Sequence, residues 1–173
     1  ETAGVSLATL RSAAGSRPHL VRVMPNICCT VGAAASAWTA EPEVTEEQKR
    51  FVAELLTAAG EAVEVEERLL DAVTGLSGSG PAYVAVFIEA LADGGVKVGL
   101  SRPQALRLAV QTVLGAARWI LDKEASPATL KDLVSSPGGT TINGIAALEA
   151  RAFRAAVIEA VVAAAERARE LGD

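Results

Sequence analysis

Apolar residues at Val5, Leu7, Leu10 and Ala14 keep a helical spacing that Gly15 and the Ser16-Arg17-Pro18 turn bring to an end. Leu20 to Met24 then alternates apolar and basic positions. Val31 to Ala40 is a second run, rich in small residues and ending near Trp38, and both read as strands. An isolated pair of strands is marginal in water, so the head of the chain predicts the edge of a sheet domain. The alternating Glu61 to Val65 offers a further strand for it.

From Thr45 the period changes. Thr45-Glu46-Glu47-Gln48 is a capping box, Phe51, Val52, Leu55, Leu56 and Ala59 share one helical face, and Gly60 falls where a C′ glycine closes a helix. Leu69 to Val73 starts a helical turn, and Gly75-Leu76-Ser77-Gly78-Ser79-Gly80-Pro81 predicts a break, with Ser79 or Gly80 capping a new helix at Pro81. That helix, Pro81 to about Val98, is apolar nearly all round (Tyr83, Val84, Val86, Phe87, Ile88, Leu91, Val96), with Glu89, Asp93 and Lys97 in a narrow strip, which predicts burial on most sides. Ser101-Arg102-Pro103-Gln104 opens the next helix, whose expected inner face is Leu106, Ala109, Val110, Val113, Leu114, Ala117 and Ile120. Ser126-Pro127 caps a short third. A last helix runs from about Ala152 to Glu170, with Phe153, Ala156, Val157, Ala160, Val161 and Ala164 on one side.

Between the short helix and the segment after it lies a polar corner, Ser135-Ser136-Pro137-Gly138-Gly139-Thr140-Thr141. Pro137 stops the incoming helix, the two glycines permit positive φ or close approach, and Thr140 or Thr141 can cap the outgoing helix. Unpaired N–H groups at the positive end of a helix dipole, fringed by hydroxyls, make an anion receptor. A plain helix-helix turn has the same composition.

Half of the 173 residues are apolar, enough for one real core, yet aromatics are only 3%, so alanine and valine supply the hydropathy and helices can approach closely. Much of that surface needs a cover, and a partner chain is the expected one. No apolar run reaches the ~20 residues of a bilayer crossing: Tyr83 to Leu91 is interrupted by Glu89 and followed by Asp93. A net charge of −5 with no basic run argues against a nucleic-acid partner. The opening Glu1-Thr2-Ala3-Gly4 does not read as a signal peptide.

Cys28 and Cys29 are adjacent, which suits neither an ordinary disulfide nor a metal site without further ligands, and they are expected to be buried, reduced thiols. His19, the one histidine, reads as a surface residue before a strand. Glu66 and Glu67 read as solvated caps at a helix start. The Gly75 to Pro81 run resembles a phosphate loop only superficially, because no strand clearly precedes it and no lysine completes it. Zinc-ligand sets, a Ser-His-Asp constellation and a Walker loop are all missing from the sequence.

Arg22-Val-Met-Pro-Asn26, Asp71 through Tyr83, Glu89 through Lys97 and above all Pro127 through Glu149 closely resemble the pyrroline-5-carboxylate reductase family over nearly the whole chain. The resemblance implies a mainly α fold. It would be a helical dimerisation domain of the 6-phosphogluconate-dehydrogenase-like C-terminal type over residues 66–173, behind a short β remnant of an N-terminal Rossmann domain over residues 1–65. It implies reduction of 1-pyrroline-5-carboxylate to L-proline with NADP or NAD as cofactor, in a homodimer that relatives extend to rings of dimers. The compartment it implies is the cytoplasm, or an organelle if a transit segment lies upstream.

By the same resemblance, Gly138, Gly139 and Thr140 would hold the substrate carboxylate through backbone N–H groups, Ser136 would line the pocket, and the Thr141 hydroxyl would bond the ring nitrogen as the catalytic group. Thr2 and Ala3, with Gly4, would be the last fragment of the cofactor cleft. The chain departs from the family where Ile27-Cys28 replaces Thr-Pro after Asn26, and where Ala33 and Ala34 replace a glycine and an acid. Two other readings stand beside this one: a non-catalytic oligomerisation or proline-binding module derived from such an enzyme, and the helical domain of another imine or hydroxy-acid dehydrogenase.

Overall fold

A computed structural model describes residues 5–172. Thr2 and Ala3, expected in the cofactor cleft, lie outside the described residues. Helix α1 (Leu7–Ala14) is capped by Ser6, whose Oγ accepts the Thr9 N–H at 3.1 Å. Strands β1 (Val21–Met24), β2 (Ala34–Ala40) and β3 (Gly60–Glu64) form one sheet in the order β1-β2-β3. β1 runs antiparallel to β2, pairing Val21 with Ala40 and Met24 with Ala37; β3 runs parallel to β2, pairing Ala34 with Gly60 and Trp38 with Glu64. The parallel pair needs a crossover, and α2 (Glu46–Thr57) supplies it, begun by the Thr45/Gln48 capping box.

Because β2 is central, it is covered on both faces. Ala34, Ala37, Trp38, Ser36 and Thr39 are all buried, which is why its sequence shows small residues rather than alternation. The expected start of this strand at Val31 shifts: Ile27–Val31 is a 3₁₀ turn closed by Gly32 in the left-handed region, and Val31 is exposed. Cys28 and Cys29 lie in that turn as free thiols, Cys28 half-buried and Cys29 exposed. The expectation that both are buried is therefore corrected, because the 3₁₀ turn they occupy lies at the surface, with Ile27 and Val31 also exposed.

Gly60 does not terminate α2. It opens β3 at φ +146°, where a side chain would run into the backbone of Ala34 on the paired strand.

Nor does the Gly75-to-Pro81 run break the helix. A 3₁₀ turn (Glu67–Leu69), α3 (Leu70–Val73) and a π turn (Thr74–Gly78) lead into α4 (Gly80–Lys97), and the Ser79 N–H donates to Thr74 O at 2.8 Å, the wide i→i+5 bond. A Cβ on Gly75 would lie 2.8 Å from the Ala165 nitrogen, so glycine serves close packing against the last helix rather than a loop. Glu67 is more than a solvated cap: its Oε1 accepts the Leu7 N–H at 2.6 Å and Arg22 Nη1 at 3.3 Å, tying α1 to β1.

Four further helices follow: α5 (Arg102–Asp122), opened by a Ser101/Gln104 capping box, α6 (Pro127–Leu133), α7 (Thr140–Glu149) and α8 (Phe153–Glu170). The chain divides into two compact units. One runs to Ala82 and takes up Ile158 onward; the other is Tyr83–Val157. In the second unit the buried cluster is small, Ala92, Ala105 and Ala109 with Ile88 and Val96 against it. Two expectations change here. The α4 helix is not buried on most sides, Val86 being 66% exposed, and the expected inner face of α5 is largely open, Leu106, Val110 and Leu114 all being exposed in this chain. Among the described residues, no helix is long and apolar enough to cross a membrane.

Candidate functional site

α6 and α7 flank the polar corner. Ser126 caps α6, its Oγ accepting the Thr129 N–H at 3.2 Å, and Pro127 suits the first helical position because its missing N–H would be an orphan there. The helix ends at Val134. Ser135 folds back, donating its Oγ–H to Lys131 O at 2.6 Å and its N–H to Asp132 O at 3.2 Å, so this hydroxyl is spent on finishing α6.

The chain then reverses over four residues. Gly138 stands at φ +68°, a left-handed conformation that costs an L-residue roughly 1–2 kcal/mol. Ser136 O accepts the Gly139 N–H at 3.0 Å, closing the turn. Gly139 itself is the N-cap of α7, extended at φ −73° and ψ 171°, with no side-chain capping bond. Neither Thr140 nor Thr141 serves as a cap; both enter the first turn of the helix.

The resulting donor set is specific. One of the three amides expected to receive a carboxylate, that of Gly139, donates to the turn. Those of Gly138 and Thr140 donate to no acceptor among the described residues, and Thr141 lies in the first turn, whose N–H groups a helix leaves unpaired. Ser136, Gly138 and Thr140 are exposed; Gly139 and Thr141 are half-buried. The Ser136 Oγ sits directly over Gly139, where any Cβ would collide with it. From Leu133 to Leu148 the sequence has no charged residue, so within this stretch the positive end of the α7 dipole is what favours an anion.

One participant escapes a reading of the sequence. Asn143 donates through Nδ2 to Gly139 O at 2.9 Å, a side chain holding the backbone at the start of its own helix. The signal available is an Asn four residues past the cap, where a back-bond to the i−4 carbonyl is within reach.

The other sequence candidates lie elsewhere. His19 is exposed, as expected, with Nδ1 2.8 Å from Gln48 Oε1. It borders a concavity of about 410 Å³ with Val44 and Phe51, well away in sequence from the hydroxyl-rich corner. A second concavity, about 460 Å³, is lined by Arg22, Glu67, Asp71 and Arg169; within it Arg22 lies 3.3 Å from Glu67 and 4.0 Å from Asp71. No cluster of three or more potential metal ligands occurs among the described residues.

Residues 67–171 match the family model described as pyrroline-5-carboxylate reductase dimerisation. The chain is 54% identical over 171 residues, 98% of its length, to a pyrroline-5-carboxylate reductase of Synechocystis, and 52% identical over 98% of its length to one of Arabidopsis thaliana. It spans 63% and 61% of those relatives. Among solved structures, a pyrroline-5-carboxylate reductase from Coxiella burnetii superposes with a TM-score of 0.94 at 38% identity, covering 98% of this chain and 63% of that one. A pyrroline carboxylate reductase from Plasmodium falciparum with NADP bound gives 0.90 at 36% identity, covering 99% and 68%. The chain, with its open hydroxyl-fringed corner and its mainly helical fold, belongs to the pyrroline-5-carboxylate reductase family.

Proposed function

We propose that this chain is the C-terminal portion of an enzyme that reduces 1-pyrroline-5-carboxylate to L-proline with NADPH or NADH, the closing step of proline synthesis. The observation that carries the reading is the α6–α7 corner: an uncapped start of a ten-residue helix with free amides at Gly138 and Thr140, beside the Ser136, Thr140 and Thr141 hydroxyls. Its occurrence in a chain 54% identical to a reductase of that name supports the assignment.

In this reading the substrate carboxylate sits on the axis of α7. The amides of Gly138 and Thr140 hold it directly, and that of Gly139 joins them by sharing or giving up its bond to Ser136 O. Ser136 lines the seat. Two-point anchoring fixes which face of the ring is presented and removes rotational freedom before reaction. The Thr141 hydroxyl faces the ring nitrogen. As the C=N bond becomes C–N, its electron pair moves onto nitrogen, and a hydroxyl there stabilises that charge and passes on the proton the nitrogen takes up.

A nicotinamide supplies the hydride when bound, and the NADP in the Plasmodium falciparum relative supports that cofactor. None of the described residues forms a strand, glycine turn and helix able to cradle a pyrophosphate, Gly75 to Gly80 being helical. Cofactor binding is therefore assigned to a Rossmann portion of which residues 1–65 are the remnant, Thr2 and Ala3 included, with residues 66–173 forming the substrate and dimerisation part. The open apolar faces of α4 and α5 support a homodimer. The free thiols suit a reducing compartment, the cytoplasm or a reducing organelle.

The test is turnover by the protein carrying its dinucleotide-binding portion, followed as pyrroline-5-carboxylate-dependent NADPH oxidation. Wild type is expected to turn over, and Thr141→Ala to lower kcat about 100-fold. Absence of wild-type activity overturns the reading, and an unaffected Thr141→Ala removes Thr141 from catalysis.

A further inference from the structure

The geometry points to Asn143 as a positioning residue for the anion seat, an inference that rests on the reading just given. The peptide unit joining Gly139 to Thr140 is one rigid plane, its carbonyl being Gly139 O and its amide the Thr140 N–H, directed oppositely. That carbonyl accepts two hydrogen bonds from a single residue. The Asn143 backbone N–H reaches it at 3.4 Å and the Asn143 side-chain Nδ2 at 2.9 Å.

The backbone bond is the one that should open the helix, and 3.4 Å is beyond the usual range for N–H···O. The side-chain bond is the shorter and stronger of the two. Its polarity is fixed by chemistry, since a carbonyl oxygen only accepts and the side-chain nitrogen must face it.

Two consequences follow. The plane cannot rock without losing the shorter bond, so the direction of the Thr140 N–H is set from behind. A carbonyl that accepts hydrogen bonds also polarises its own peptide, making the opposite N–H a better donor. With glycine as N-cap and no capping side chain, nothing else among the described residues holds this plane. Asn143 thus works from inside α7, on the far side of the peptide from the ligand. Its neutrality matters as well, because a carboxylate one turn into an otherwise uncharged stretch would oppose an anion at the helix start.

A purely structural staple would shift stability and leave the seat unchanged, so the test reads the seat. L-proline is titrated by calorimetry into the 173-residue chain and its Asn143→Ala, Asn143→Ser and Asn143→Asp variants, and the Thr140 amide resonance is recorded in each unliganded protein. Asn143 is exposed, so the variants are expected to fold. Asn143→Ala should weaken binding about three- to tenfold and move the Thr140 amide upfield. Asn143→Ser should restore most of the affinity, since a helical serine hydroxyl donates to the i−4 carbonyl, and Asn143→Asp should bind more weakly than Asn143→Ala. Unchanged affinity or an unmoved Thr140 resonance in Asn143→Ala overturns the inference and leaves the proposed function standing. Failure of the wild-type chain to bind proline overturns both.

Discussion

The two compact units bury their apolar residues in different ways. In the unit built on the sheet, β2 carries a buried tryptophan at 3% exposure beside Ala34 and Ala37, Leu70 is 1% exposed, and the polar residues that go inside are satisfied. Asn26 is the clearest case: its Nδ2 donates to Ser77 O at 3.0 Å and its Oδ1 accepts the Ala35 N–H at 3.3 Å, joining the π turn to the sheet. In the helical unit, the fully buried residues are three alanines, while Val86, Leu108 and Leu114 face outward. The sheet unit takes a tryptophan and a leucine into its core, although Phe51, Leu55 and Val63 stay exposed, whereas the helical unit fully buries nothing larger than alanine. The helical unit keeps its large side chains for a surface it does not contain, as a dimerisation module would.

That contrast is broken most forcefully on the outer face of α4. Val86→Glu places a charge where a partner is proposed to dock, and burying an unpaired carboxylate costs several kcal/mol. The dimer dissociation constant measured by analytical ultracentrifugation should rise by about 100-fold or more, with fluorescence of the buried Trp38 unchanged. Next in size is Gly139→Val. A side chain there would push the Ser136 hydroxyl off its place over the cap and press on Ser136 O; proline affinity by calorimetry should fall by about tenfold while overall helicity by circular dichroism is retained.

In the sheet unit the informative change is Asn26→Ala. It leaves the Ala35 N–H and Ser77 O without their partner, and the expected loss is about 1–3 kcal/mol in denaturant unfolding. Oligomeric state should not move.

The smallest effect is electrostatic. The hydrogen bond from the Arg11 guanidinium holds the Glu41 carboxyl below the usual carboxylate range, helped by the Leu20 N–H. A depressed folded pKa means the stabilisation is present above the unfolded value and is lost as pH falls through the folded one. Glu41→Gln should therefore lower the melting temperature slightly at neutral pH and converge with wild type in acid, flattening the acid limb, as read from thermal melts across pH.

The same contrast explains what could be seen in the chain before its fold. In the sheet unit β1, α2 and β3 left local marks, in the run of Leu20 to Met24, the capping box at Thr45 and the alternating Glu61 to Val65, whereas β2 begins three residues later than the sequence suggests. Ser101/Gln104 and Ser126-Pro127 left such marks for the helical unit. What sequence reading lost depended on contacts distant in the chain. Gly60 resembles a helix terminator, yet serves the approach of β3 to Ala34. Gly75 resembles a loop residue, yet sits in a π turn because the backbone of α8 passes beside it at Val161 and Ala165. The apolar faces of α4 and α5 were legible as apolar, but periodicity cannot say whether the cover comes from the same chain.

At the corner, residue types allowed an anion receptor and a plain helix-helix turn alike, because glycine, proline and hydroxyl residues serve both. The division of labour inside it was hidden. Ser135 completes α6, the Gly139 amide closes the turn, and Asn143 braces the peptide behind Thr140.

The central claim is that this corner seats the carboxylate of a five-membered ring. An ¹⁵N-resolved titration of the chain with L-proline tests it most directly. The account predicts saturable shifts led by the amides of Gly138, Thr140 and Thr141, diminished in Thr141→Ala. A spectrum unmoved by proline, or shifts confined to the sheet unit, would contradict it.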